Sequence, residues 1–288
     1  MGKSVYEMVT ERIINQLEQG VVPWEKPWTG IRSGAFNRIS KKPYSLLNQM
    51  ILKHDGEYAS FKQWSDLGGH VRKGEKSEIV CFWKIQPVEE VKEDGTKEVK
   101  NIPLLRYFNV FHISQVDGVD PLPKEELNDD IRPIEKAEDV LHGYWSRENI
   151  TVEHMAGNSA YYSPSQDLIC LPLLEQFTNA NEYYSTAFHE SVHSTMKESR
   201  CDRRSEQNGK IAAFGSEEYS KEELVAEIGS ANLMNIIGIE TTKSFRNSSA
   251  YIQNWLSVLK SDIRFIVSAS SKAEKAVNYI LGEKSNQA

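Results

Sequence analysis

Residues 183–193 read Tyr-Tyr-Ser-Thr-Ala-Phe-His-Glu-Ser-Val-His, and the last five are His-Glu-x-x-His. This pattern constrains the fold most, because it has a chemical use in one conformation only. On an α-helix, positions four apart lie one turn above each other, so the imidazoles of His189 and His193 can close on one ion. Glu190 leans toward the same place, where a carboxylate can hold a water and take its proton. The neighbouring residues supply the helix. Tyr184, Ala187/Phe188, Ser191/Val192 and Thr195/Met196 recur at three-to-four spacing, and Asn179 or Asn181 can cap the start. That stripe runs beside the histidines and sets them at the edge of a core.

So short a motif also arises by chance, which makes a third ligand the test. Downstream, Ser220-Lys-Glu-Glu-Leu-Val-Ala-Glu-Ile-Gly229 reads as a second helix, with Glu223 and Glu227 four apart on one face. One completes a His, His, Glu site and the other orients a ligand histidine. The assignment here is Glu223 as ligand and Glu227 as orienter. Glu222, a quarter-turn away, is expected in solvent.

A chain of 288 residues can hold one large or two ordinary domains. No apolar run approaches the length of a membrane span, so no membrane partner is expected. The first residues show no apolar signal region, and three widely spaced cysteines (Cys81, Cys170, Cys201) suit a reducing, cytoplasmic setting. The net charge of -7 is unevenly spread. Residues 1–86 hold 13 Lys/Arg against 9 Asp/Glu, a net of +4, and residues 87–150 hold 8 against 15, a net of -7. A basic front and an acidic middle point to separate tasks.

The front opens with an amphipathic helix over 4–19 that stops at Gly20, followed by Pro23-Trp24-Glu25-Lys26-Pro27-Trp28. The tryptophans of that loop are a hydrophobic plug or a stacking surface. Residues 78–86 form the best strand, with 104–113 as antiparallel partner and a charged loop over 87–101 between them. Across the front, aromatics alternate with cations: Trp24, Lys26, Trp28, Arg38, Lys41, Lys42, Tyr44, Trp64, Arg72, Lys73 and Lys76. Single-stranded nucleic acid is held by rings that stack on bases and cations that follow phosphates, and a solvated basic face over an aromatic core gives the same letters.

Prolines and acids over 121–134 mark a linker between a first domain, 1–120, and a second, 135–288. The second begins with a helix over 135–146. Strands follow at 150–154, 160–163 and 167–172, the last ended by Pro172 and read as a sheet edge open to a peptide. Two packing helices, 248–267 and 270–281, close the chain.

In these blocks the chain resembles the ArdC-type antirestriction proteins of mobile elements. At the front the matching residues are Pro23-Trp24-x-Lys26-Pro27-Trp28, Pro43-Tyr44-x-x-x-Asn48, Phe61-Lys62-Gln63-Trp64-x-x-x-Gly68, Val71-Arg72-Lys73-Gly74-Glu75-Lys76 and Val110-Phe111-x-x-x-Gln115-Val116-x-Gly118. At the back they are Ala187-Phe188-His189-Glu190-x-x-His193-Ser194-Thr195 and Tyr219-x-x-Glu222-Glu223-Leu224-Val225-Ala226-Glu227. Ser191-Val192 departs from the Leu-Val or Leu-Gly expected inside the motif. The resemblance implies an α+β protein of two domains, an N-terminal single-stranded DNA-binding domain and a C-terminal zincin-like metallopeptidase domain. It also implies one divalent metal, zinc by expectation, and protection of incoming DNA from restriction.

The reaction expected of the back domain is peptide hydrolysis of a protein or peptide substrate, with Glu190 as base and Tyr161, Tyr162 or Tyr219 as a further oxyanion donor. The rival is a non-catalytic DNA-protection protein in which the metal is structural or vestigial. The sequence holds no phosphate-cradling Gly-x-x-x-x-Gly-Lys-Ser/Thr loop and no histidine pair at the spacing of a nicking enzyme.

Overall fold

The computed structural model describes residues 2–25, 34–91, 97–123, 133–156, 159–177, 179–203, 217–239 and 249–283. The chain divides into two compact units, Met1–Arg12 with Ser33–Pro123, and Ile13–Arg32 with Lys124–Ala288. The division assigns 13–32 to the second unit, where the sequence reading had put it in the first.

In the first unit a four-stranded sheet has the order β1-β2-β5-β4, from β1 (Ala35–Asn37), β2 (Gly56–Ala59), β4 (Glu78–Val91) and β5 (Lys97–His112). A second pair joins β3 (His70–Val71) to β6 (Val116–Asp117). β4 and β5 are rich in β-branched and aromatic residues, and they pair in unbroken antiparallel register from Glu78↔Val110 to Val91↔Lys97. The loop expected over 87–101 is therefore mostly strand; residues 92–96, between the strands, lie outside the described residues. The apolar residues of Lys-Asn-Ile-Pro-Leu-Leu over 100–105 carry the pairing outward despite the local charge. Ala35, Leu52, Tyr58, Val80 and Val110 form one core, with Tyr44 packed against it. Ala59, Trp64 and Val116 form a second. After the helices α1 (Val5–Glu18) and α2 (Leu46–Ile51), α3 (Phe61–Asp66) starts at a capping box, Ser60 with Gln63, that satisfies two of its free backbone donors.

The second unit holds α4 (Pro133–Glu148), α5 (Ala180–Ser194), α6 (Glu217–Ile237), α7 (Ser249–Ser261) and α8 (Phe265–Leu281). Its sheet has the order β7-β9-β8, from β7 (Thr151–Met155), β8 (Tyr161–Ser163) and β9 (Leu168–Pro172). This corrects the reading of 167–172 as an edge. β9 is the central strand, parallel to β7 and antiparallel to β8, and all five of its residues are buried. A short apolar run between turn residues fits a buried strand as well as an edge, and Pro172 sits at its last position, where a missing donor costs least. Gly282 ends α8 in the left-handed region (φ 72°), as a C-terminal glycine does. Among the described residues no helix is long and apolar enough to cross a membrane.

Candidate metal centre

α5 begins at Asn179, whose side-chain oxygen accepts the Glu182 N–H at 3.0 Å. Its core face is Tyr184, Ala187, Phe188 and Val192, all buried. The departure at Ser191 has a local cause. Its hydroxyl is fully buried, donates to the Ala187 carbonyl at 2.7 Å and accepts the Trp145 indole N–H at 2.9 Å. A leucine there would leave that N–H without its partner.

α6 lies against α5, with Gly229 facing Val192. A Cβ at Gly229 would sit 2.9 Å from Val192 Cγ2, so a side chain there would force the helices apart. This close approach brings the carboxylates of α6 to the imidazoles of α5. His189 Nε2 and His193 Nε2 are 3.0 Å apart. Glu223 reaches both, with Oε2 3.5 Å from His189 Nε2 and Oε1 3.4 Å from His193 Nε2. The donor atoms of His189, His193 and Glu223 all lie within 4.8 Å of one another.

Behind them stands a second row. Glu227 Oε1 is 3.2 Å from His189 Nδ1, close but not aligned for a hydrogen bond, so that buried nitrogen has no hydrogen-bond partner. Glu222 Oε1 is 3.4 Å from His193 Nδ1. This corrects the expectation, drawn from its quarter-turn offset, that Glu222 lies in solvent. Arg203 grips it through two bonds, at 2.6 and 3.1 Å, and also donates to the Val192 carbonyl at 2.9 Å and the Thr195 hydroxyl at 2.7 Å. Arg203 so caps the end of α5 and fixes an α6 carboxylate at once. The sequence does not single out Arg203, and it assigns Glu222 no part in the centre. Arg203 sits past the helix with no periodicity to mark it, and Glu222 shares no face with Glu223.

The electrostatics follow. Burial disfavours the His193 cation, but the carboxylates of Glu222 and Glu223, with help from Glu190, outweigh it and push its pKa up to about 10. Burial raises the Glu222 pKa, yet Arg203 and His193 overcome that and hold it down to about 2. Glu223 is likewise held well below the ordinary carboxylate range, against its own burial, by His189 and His193. Glu190, next to His189, is buried at 3% exposure. Of the tyrosines, Tyr162 already donates to Asp167 at 2.8 Å, whereas Tyr161 on β8 is exposed.

The donors fit a divalent ion: two imidazoles and a carboxylate are a set that such sites use. The orphaned Nδ1 of His189 has a carboxylate within reach, the arrangement that orients a ligating imidazole.

The residues singled out at the front do not converge in this way. Trp24 is buried, meets Trp255 edge-on at 5.4 Å, and so packs into the second unit. Trp64 is fully buried, its indole donating to the Phe111 carbonyl at 2.9 Å. Both rings are core, which corrects their assignment to a stacking surface. Arg38 is bound to Glu57, and Tyr44 is half-buried against Tyr58. Arg72 is exposed but tied to Glu75 at 3.0 Å and Asp117 at 3.3 Å. Lys41, Lys42, Lys73 and Lys76 are exposed. Lys26 and Trp28 lie outside the described residues.

Residues 139–272 match the zincin-like metallopeptidase family, and residues 3–111 match the N-terminal domain of the anti-restriction factor ArdC. Two DNA primases named TraC, both of Escherichia coli, are 34% identical to 99% of this chain, which spans 20% and 28% of their length. An uncharacterized protein, y4eC, of Sinorhizobium fredii is 31% identical over 98% of this chain and 93% of its own. The metal-free crystal structure of the antirestriction protein ArdC from plasmid R388 superposes with a TM-score of 0.72 at 32% identity, covering 96% of this chain and 97% of that one. Its Mn(II)-bound form gives 0.74 at 29% identity, covering 99% and 100%.

Fold and matches together define an α+β protein with an ArdC-type N-terminal domain and a zincin-like C-terminal domain. With y4eC and the R388 protein matched along nearly their whole length, the chain belongs to the ArdC-type antirestriction family.

Proposed function

We propose that the front of this protein holds single-stranded DNA and that its back carries a divalent-metal peptidase site, zinc being the metal the donor set suits. The observation that carries the metal reading is the meeting of His189 Nε2, His193 Nε2 and the Glu223 carboxylate within 4.8 Å. The Mn(II)-bound structure of the R388 relative supports a divalent ion in this family. Held by those three residues, such an ion would supply Lewis acidity that brings the pKa of water toward neutrality. The chain's own residues do the rest. Glu190 accepts the proton from the attacking water and returns it to the leaving amine. Glu222 and Glu227 aim the imidazoles, and Arg203 keeps Glu222 charged and in place. An extended peptide would add to β8, an edge strand of the sheet, where Tyr161 is exposed.

One observation favours the non-catalytic reading. The donor side chains are 3%, 12% and 10% exposed at His189, His193 and Glu223, which leaves a substrate little open surface at the donors. Glu190→Gln in the full chain separates the two. On the peptidase reading it keeps one metal per chain by elemental analysis and loses metal-dependent cleavage of an unfolded protein substrate by about a hundredfold or more. Undiminished cleavage removes Glu190 from the mechanism. Full protection of DNA from restriction by that variant favours the non-catalytic rival.

A further inference from the structure

The hairpin of β4 and β5 puts together what the front residues singled out above do not. In an antiparallel pair, directly opposed residues share a face, and alternate residues along each strand join them. One face of the hairpin therefore carries Phe82 opposite Arg106, Lys84 opposite Leu104, and Phe108 opposite Val80. Phe82 and Phe108 lie diagonally across the strands with ring centroids 4.6 Å apart and planes 5° apart. Phe108 is 59% exposed, far beyond what a packing ring needs. Lys84 and Arg106 are exposed on either side of the pair, and neither forms an ion pair among the described residues. No Asp or Glu occurs from Ile79 to Val88 or from Val99 to His112, in a chain whose net charge is -7.

The opposite face is the internal contrast. It carries exposed Trp83, Ile85 and Tyr107 but no Lys or Arg between Cys81 and Pro87 or between Asn101 and Tyr107. An apolar surface alone would suit a protein partner. A flat aromatic pair flanked by two unpaired cations suits bases on the rings and phosphates on the charges.

We infer that this face of the hairpin is the platform on which single-stranded nucleic acid lies, with a base stacked on Phe108 and backbone phosphates at Lys84 and Arg106. The inference rests on the reading that the front holds single-stranded DNA, and it moves the contacts from Trp24 and Trp64, both buried, to residues of the sheet.

The test uses the full-length protein and a fluorescein-labelled oligo-dT, with binding followed by anisotropy across a salt series. Phe108→Leu keeps apolar volume and removes the ring. It should weaken binding about tenfold while leaving the urea unfolding midpoint near that of the parent. The pair Lys84→Ala with Arg106→Ala should reduce the salt slope by about 1.4, the contribution of two phosphates on a single strand. Trp83→Phe, on the opposite face, should bind as the parent does. If the parent binds oligo-dT and both hairpin variants bind equally well, the platform is wrong and the single-strand reading stands. Equal weakening of duplex and single-strand binding by Phe108→Leu overturns stacking. A parent protein that binds no oligo-dT at all removes the underlying reading, and the platform with it.

Discussion

The metal centre and the front surface were both read from residue types at intervals, and they fared differently. His189, His193 and Glu223 meet. Of the front aromatics, Trp24 and Trp64 are buried and Tyr44 is half-buried. The difference is one of geometry. Four residues along a helix is a fixed displacement of about 6 Å on one face, so spacing becomes proximity. Along strands and turns, neighbouring side chains point opposite ways, and a list of rings and cations leaves the face undetermined.

The comparison can be pressed hardest at the centre itself. His189→Ala should cost on the order of 4 kcal/mol of metal binding, about a thousandfold, read as loss of stoichiometric metal after dialysis. A parent protein with no metal to lose would place the two regions on the same footing.

Acidity gives the next effect. With the His193 pKa raised to about 10, a proton competes for its ring at neutrality. Metal affinity should therefore rise about tenfold per pH unit until pH nears 10, measurable by competition with a chromogenic chelator. The same shift acts on the metal-free fold. A raised pKa adds stability that is fully present below the ordinary imidazole value and lost as pH climbs through about 10. A metal-free protein whose Tm rose over that interval would show that the carboxylates do not hold the proton.

Arg203→Ala removes the partner of Glu222 and should weaken metal binding about 10–100-fold by isothermal titration, without touching a ligand. Unchanged affinity would mean that His193 needs no carboxylate behind it. Gly229→Ala adds one methyl 2.9 Å from Val192 Cγ2 and should cost about 1–3 kcal/mol of stability in denaturant unfolding. Trp64→Phe sharpens the contrast from the other side. It leaves the Phe111 carbonyl without its donor, costs about 1 kcal/mol, and leaves oligo-dT affinity alone. A large fall in affinity would restore Trp64 to the binding surface.

How much of this was legible follows from where each constraint resides. The helices carrying the centre, the β4–β5 pairing and the glycine stop of α8 are local, and the sequence shows them through periodicity and caps. The grip of Arg203 on Glu222 spans 19 residues and two elements, so no local pattern marks it. The central position of β9 depends on which strands flank it, and a run of five buried residues looks the same at an edge. The hairpin face inferred above is not legible in the sequence for a related reason. Phe82, Lys84, Arg106 and Phe108 lie apart in sequence, and only the strand register sets them side by side.

The missing methyl at Gly229 links two positions that no chemistry connects. In any descendant that acquires alanine there, the facing valine must shrink in step, or the rods separate and the acids drift from the rings. Residues 192 and 229 should accordingly change together across lineages, while the ion-gripping residues stay put. That covariation would record the clearance between two helices rather than anything the ion demands.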